Sequence, residues 1–316
     1  MPCLKVIDPG PMTTVQDLGR YGYQALGVPI SGALDQISAM IANWLVGNPS
    51  GAALLEATFA GPKVEALEDV WVCVTGARVL MTLNGREVEG WTSLRMKAGD
   101  ILWIKRMVEG LRAYIAISGG IDVPEVMGSR STYVPGRMGG LGGRPLAKGD
   151  ILERIGENRI SEPLTLAPEL RPRWQREMTL RAIPGPQDDH FGEGLEIFFS
   201  SPFVVTPQSD RMGCRLDGPP VPRKPEAPQS IISEPSMPGS IQIPPDGKPI
   251  VLLVEQTVGG YAKIATIIWP DISRVAQARP GDIISFRKIS LDEAHDIYRE
   301  TWDQLESLRK GLGAPP

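Results

Sequence analysis

Glycine and proline interrupt this 316-residue chain along its whole length, 35 of the first and 30 of the second. Proline has no backbone N–H and breaks helix interiors, whereas glycine supplies the left-handed backbone of tight turns. A chain punctuated this often is left with short strands joined by turns, and a helical bundle is excluded. The spacing predicts strands near 2–8, 71–75, 78–83, 101–105, 114–118, 179–183, 196–199, 250–254 and 264–268. Asn84-Gly85 marks a two-residue hairpin turn. Two segments carry helical periodicity. Leu34, Ile37, Ile41, Trp44 and Leu45 share one face of a helix that starts at 31 or 35 and ends before Gly47. Ser290 and Glu293 form a capping box ahead of a last helix with Leu291, Ala294, Tyr298, Trp302 and Leu305 on one side.

The length suits two domains. The polar, proline-bearing stretch 157–173 reads as a linker, giving an N-terminal half over 1–156, a C-terminal half over 174–290 and a helical tail over 291–316. The halves echo one another: Pro9-Gly10-Pro11 recurs as Pro184-Gly185-Pro186, and Gly119-Gly120 followed by Gly149-Asp150 parallels Gly259-Gly260 followed by Gly281-Asp282.

Net charge is −4, so no basic excess draws the chain to nucleic acid or anionic lipid. No apolar run approaches 18 residues, and the N-terminus lacks the order of a signal peptide. Three widely separated cysteines do not make a disulfide framework. These features set the expectation of a cytoplasmic protein. With His190 and His295 the only histidines, the two-histidine zinc motifs are absent, and so are the phosphate loop for ATP and the nucleophile elbow. No metal site is expected, and any chemistry falls to carboxylates, Arg, Lys, amides, hydroxyls and backbone donors.

Four segments gather such groups amid glycine. In the first, Thr13 to Arg20 and Gly27 to Asp35, Arg20 offers a planar fork for a carboxylate or phosphate; equally, Asp17 pairs with Arg20 while Ser31 caps the helix. Ser129 to Tyr133 with the glycines of 136–143 and Arg144 suits an anion, or forms a hairpin without a ligand. Gly185-Pro186-Gln187-Asp188-Asp189-His190 joins paired carboxylates to a histidine, although adjacent side chains on a loop diverge. Lastly, Ser209-Asp210-Arg211-Met212-Gly213 accompanies Gln256-Thr257-Val258-Gly259-Gly260-Tyr261-Ala262-Lys263, where Lys263 either holds an acyl oxygen or is an ordinary strand residue.

Taken in order, these segments resemble the KipA-like family, also called allophanate hydrolase subunit 2 or biotin-dependent carboxyltransferase, which includes the C-type subunit of bacterial 5-oxoprolinase. The resemblance rests on Pro9-Gly10-Pro11-x-Thr13-Thr14-Val15-Gln16-Asp17-x-Gly19-Arg20, Gly27-Val28-Pro29-x-Ser31-Gly32-Ala33-x-Asp35 and Ala42-Asn43-x-Leu45-Val46-Gly47-Asn48. It continues through Ser129-Arg130-Ser131-Thr132-Tyr133, Gly185-Pro186-Gln187, Ser209 to Pro219 and Gly239-x-Ile241-Gln242-x-Pro244. Gln256-Thr257-x-Gly259-Gly260-Tyr261-x-Lys263 and Pro280-Gly281-Asp282 complete it. One departure stands out: Val254-Glu255-Gln256-Thr257-Val258 replaces two polar positions of the family pattern and inverts a charge. If that segment contacts substrate, the substrate differs from the family's commonest one.

The resemblance implies a mainly β protein of two cyclophilin-like barrel halves with a few short helices and a C-terminal helix. It implies a KipI-like partner of the oxoprolinase B type and a third, A-type subunit, which together open 5-oxoproline to glutamate with ATP used by the complex. The alternatives in the family are a urea carboxylase-type carboxyltransferase, a scaffold for a partner's active site, and a non-catalytic regulator that binds a KipI-like kinase inhibitor. No biotin is attached to this chain, because the Ala-Met-Lys-Met motif is absent. Both chemistries develop oxyanion charge, which preorganised donors stabilise. The expected reaction centre is a pocket between the halves, with Arg20, Arg130 and Arg211 binding oxyanions. In it Asp17, Asp35 and Asp210 orient them or act as a base, and Lys263 supplies charge. Ser31, Asn43, Ser131, Arg144, Gln187, Gln256, Thr257, Gly259, Gly260 and Tyr261 are the expected substrate contacts.

Overall fold

A computed structural model describes all residues, 1–316. The chain forms two compact units, one of Met1–Arg20, Ser31–Trp174 and Gln304–Pro316, the other of Tyr21–Ile30 and Gln175–Asp303.

In the first unit the elements are β1 (Pro2–Asp8), β2 (Met12–Gln16), α1 (Gln36–Leu45), β3 (Leu54–Thr58), β4 (Lys63–Ala66), β5 (Val70–Leu83), β6 (Arg86–Val88), β7 (Ser93–Met96), β8 (Ile101–Ile117) and β9 (Ile151–Glu153). They build a nine-stranded sheet ordered β2-β3-β8-β4-β1-β9, with β5 to β7 branching from β8. The runs 71–75 and 78–83 are one strand, β5, and 101–105 and 114–118 are the two ends of β8. Register shifts beside Gly76 let β5 and β8 bend without ending, which a short-window reading takes for breaks. Asn84 and Gly85 both have positive φ, as the predicted hairpin requires. Asp35 caps α1 by accepting from the Ser38 N–H at 3.0 Å, and Gly47 ends it at φ +76°. The core is aliphatic, with Leu4, Val72, Leu102 and Ile115 among its buried residues.

The second unit contains β10 (Glu177–Pro184), α2 (Glu193–Ser200), β11 (Phe203–Val205), β12 (Gly213–Asp217), β13 (Glu234–Pro235), β14 (Ser240–Gln242), β15 (Ile250–Leu252), β16 (Val258–Gly259), β17 (Lys263–Ile267), α3 (Trp269–Gln277), β18 (Ile283–Lys288) and the start of α4 (Leu291–Gly311). Seven strands close a barrel in the order β10-β17-β14-β15-β12-β11-β18, with β18 pairing in parallel to β10. Closure removes the sheet edges. Outside it, β13 and β16 form a two-stranded ribbon. The fold is therefore mainly β, as expected, with a barrel in the second half.

Residues 196–199 are helical, in α2, and not a strand. Burial decides this: Phe198 stacks on Phe286 at 4.5 Å between ring centroids and contacts Phe199 edge-on at 4.9 Å. Helix α3 has no counterpart in the sequence reading, since the run 264–268 hides its start and Pro270 takes the first turn. At α4 the predicted cap is present, the Ser290 hydroxyl accepting from the Glu293 N–H at 3.1 Å.

Phe198 is fully buried at the centre of this aromatic cluster. Phe198→Ala is expected to destabilise the protein by about 3–5 kcal/mol, read as a lower denaturation midpoint.

Candidate functional site

In the first unit most of the predicted residues make bonds that hold loops in place. The Asp17 carboxylate accepts from four donors: the Gly19 N–H at 2.8 Å, the Arg130 N–H at 2.6 Å, the Ser129 hydroxyl at 2.7 Å and the Ser131 hydroxyl. A carboxylate so saturated locks two loops together and has little acceptor capacity left for a further donor. Arg20 is fully buried and donates to the carbonyls of Val126 and Ser131, each at 2.9 Å, while its Nη1 has no partner. Burial pulls its pKa down, and nearby Asp17 opposes this.

Asp35 is the helix cap, and Asn43 donates to the Ala52 carbonyl at 2.8 Å. Arg130 donates to the Val123 carbonyl at 3.1 Å and pairs with Glu125 at 3.3 Å. Arg144 is exposed and pairs with Asp150 through both guanidinium nitrogens at 2.8 and 2.9 Å. Ser31 is buried at φ +55° with its hydroxyl unpartnered. The next residue, Gly32, also has a positive φ of +84° and packs on Gly19 so closely that a Cβ would collide.

Beneath these loops lies a buried set that motif reading passed over. The Tyr114 hydroxyl donates to Glu56 at 2.9 Å and accepts from the Asp35 N–H at 2.8 Å, and Arg112 lies 3.8 Å from Glu56. Burial, with Glu56 and Asp35 nearby, raises the Tyr114 pKa well above its ordinary value, so the phenol stays protonated. A cavity of about 660 Å³ elsewhere in this unit is lined by Trp91, Trp174 and Arg173 and by none of the predicted residues.

The second unit does bring predicted residues together. Gln242 ends β14 and Lys263 begins β17, and the two stand opposite each other across the ladder. Both are nearly buried, at 4% and 5% exposure. The Lys263 ammonium pairs closely with Glu234, which also accepts from the Gln187 amide at 3.0 Å. The Gln187 carbonyl oxygen accepts from the Lys263 backbone N–H at 3.0 Å. These two donors hold the Glu234 carboxyl below the usual carboxylate range.

Glu234 lies opposite Gly259 in the ribbon, and a Cβ at Gly259 would run into the Gln242 amide nitrogen. That nitrogen is a buried donor without a partner. An adjacent cleft of about 680 Å³ is lined by Gln242, Gln256, Gly259, Gly260, Tyr261 and Arg215 among others. The Thr257 carbonyl accepts from the Ser236 N–H at 3.0 Å, tying the ribbon together. The Arg215 guanidinium is exposed and makes no bond within the chain.

Arg211 and Asp210 have other duties. The Asp210 carboxylate accepts from the Met212 and Gly213 N–H groups at 2.8 and 3.1 Å, shaping a turn. Arg211 donates to Glu255 at 2.5 Å, and both side chains are largely buried. The charge that departs from the family pattern is thus an ion-pair partner. Glu234, Glu56 and Arg112 were invisible to motif reading because their partners are remote in sequence; Glu255 and Gln242 stood in quoted segments but carried no role. Removing Glu255 strands a buried cation. Glu255→Leu is expected to cost about 3 kcal/mol in denaturant unfolding, and the double variant with Arg211→Met to recover most of it.

A family model described as carboxyltransferase domain, subdomain A and B, matches residues 26–288. The chain is 41% identical to the C-type subunit of the Escherichia coli 5-oxoprolinase over 96% of its own length and 97% of that protein. It resembles the crystal structure of TTHA0988 with a TM-score of 0.83 and 37% identity, covering 91% of this chain and 55% of that one. The structure of the Kluyveromyces lactis urea amidolyase gives a TM-score of 0.90 at 31% identity, over 99% of this chain and 20% of that one. The chain thus spans about half of the first structure and a fifth of the second. With its motifs, its β architecture and these likenesses in agreement, the chain belongs to the carboxyltransferase-domain family, subdomains A and B.

Proposed function

We propose that this chain is the C-type subunit of an ATP-dependent 5-oxoprolinase, which opens the lactam of 5-oxoproline to give L-glutamate. The observation that carries the reading is the 41% identity to a protein of that name across nearly the whole of both chains. It works with a KipI-like B-type subunit and an A-type subunit, in the cytoplasm. ATP is used at the level of the complex, since no Gly-x-x-x-x-Gly-Lys phosphate loop occurs in this chain.

The second-unit cleft suits such a substrate. Lactam opening adds water to the ring carbonyl, breaks the C–N bond and develops negative charge on the carbonyl oxygen. Fixed donors and cations in a partly desolvated site favour that charge. The cleft offers the exposed Arg215 guanidinium, with the glycine-bearing segment 256–261 forming part of its wall.

Purified chain with its co-expressed neighbouring subunits is expected to release glutamate from 5-oxoproline only when ATP is added, and omission of this chain to abolish the release. A stable complex that releases none under these conditions rejects the assignment and moves it to a carboxyltransferase acting on another amide.

A further inference from the structure

The pairing of Lys263 with Glu234 leaves an asymmetry. Gln242 and Lys263 are ladder partners at one end of the barrel and each carries a buried donor, the Gln242 amide N–H and the Lys263 ammonium, yet only the second has an acceptor. A buried donor without an acceptor forfeits the water it gave up and receives nothing in return. A carboxylate from outside, with two oxygens, satisfies both. Glu234 satisfies one, and it shares that same oxygen with the Gln187 amide.

Glu234 is also poorly anchored compared with what it covers. Its side chain is 42% exposed, against 6% for that of Lys263. It sits on a two-residue strand, β13, whose neighbours Ile232 and Met237 are 92% and 69% exposed. The ribbon is held by few bonds, among them Ile231 N–H to the Gly260 carbonyl at 2.8 Å and Ser236 N–H to the Thr257 carbonyl at 3.0 Å. The Gln24 amide adds a bond to the Ser236 carbonyl at 3.0 Å. Segments with little burial and few bonds open at low free-energy cost. The strand opposite lies over the Gln242 amide at Gly259, where an added Cβ would meet the amide nitrogen, and continues into the cleft wall.

We infer that Lys263 and Gln242 form a receptor for the carboxylate of a small acid, and that Glu234 plugs this receptor until the ligand displaces it. Naming 5-oxoproline as that acid rests on the function proposed above; the receptor itself does not. The displaced Glu234 carboxylate moves into solvent, where its exposed side already lies, and the two buried donors exchange one acceptor for two.

The test uses the full chain and its complex. Binding of acetate and of 5-oxoproline is measured by calorimetry on the wild type, Glu234→Gln and Gln242→Leu, with the neutral lactam 2-pyrrolidinone as a control. Glu234→Gln keeps an acceptor but removes the competing charge, so both acids are expected to bind about tenfold more tightly, as when a competing state is removed, while 2-pyrrolidinone is unaffected. Gln242→Leu is expected to weaken both acids. Misfolding weakens binding and does not tighten it, so the opposite signs separate the receptor from a loss of structure. Equal or weaker acid binding by Glu234→Gln overturns the inference, as does the absence of carboxylate binding in all three chains. If the complex does not open 5-oxoproline and Glu234→Gln still tightens acetate, the functional reading falls and the receptor stands. If 5-oxoproline is opened and Glu234→Gln binds acids no better, the receptor falls alone.

Discussion

Keeping the Lys263 ammonium inside the wall of a closed barrel obliges the chain to supply a counter-charge, because an isolated buried cation is prohibitively costly. Glu234 answers that demand from a loop outside the barrel, 29 residues away in sequence. The β13–β16 ribbon holds it there, and at Gly259 the ribbon lies on the Gln242 amide. Gln187, three residues beyond β10, bonds both the Lys263 backbone and Glu234 and joins the third element. The arrangement of this end of the barrel follows from one charge and its acceptor.

The same rule organises the first unit with the signs reversed. There the anion is the half-buried Asp17, answered by hydroxyls and a backbone N–H from residues 129–131, more than a hundred positions on. Arg20, three residues later, closes the loop by donating to carbonyls of the same region. Glu56 and Tyr114 add a third instance, in which the phenol gives a neutral hydrogen bond to the carboxylate. These groups fix loop positions; the unit's hydrophobic core fixes the sheet. Each of these groups thus has an architectural role in the unit.

Local rules made part of this visible beforehand. The Asn84-Gly85 turn, the Asp35 end of α1 and the Ser290 cap each depend on neighbours within a few residues, and each is where the sequence places it. Residues 196–199 went the other way, since the apolar run Ile197-Phe198-Phe199 fits a strand until Phe286, some ninety residues on, selects the helix. The site shows the same division. Arg20 and Arg211 look available for oxyanions in a motif, but their acceptors, Val126, Ser131 and Glu255, come from distant turns. Glycine at 259 is legible as a glycine; that it makes room for Gln242 is not.

The altered segment 254–258 gains a different meaning from this geometry. Glu255 inverts a charge relative to the family pattern, yet its carboxylate is spent on Arg211 and its backbone N–H on the Arg211 carbonyl. Val254 is buried. Neither side chain lines the cleft, whereas Gln256 and Val258 do, and Val258 is 45% exposed there. An exposed valine on a cleft wall removes a donor and acceptor and adds apolar surface, which changes what a bound molecule meets at that point. The inverted charge belongs to the fold's own ion pair, so any consequence of the departure for ligand choice rests on Val258, one position from the glycine that covers the Gln242 amide.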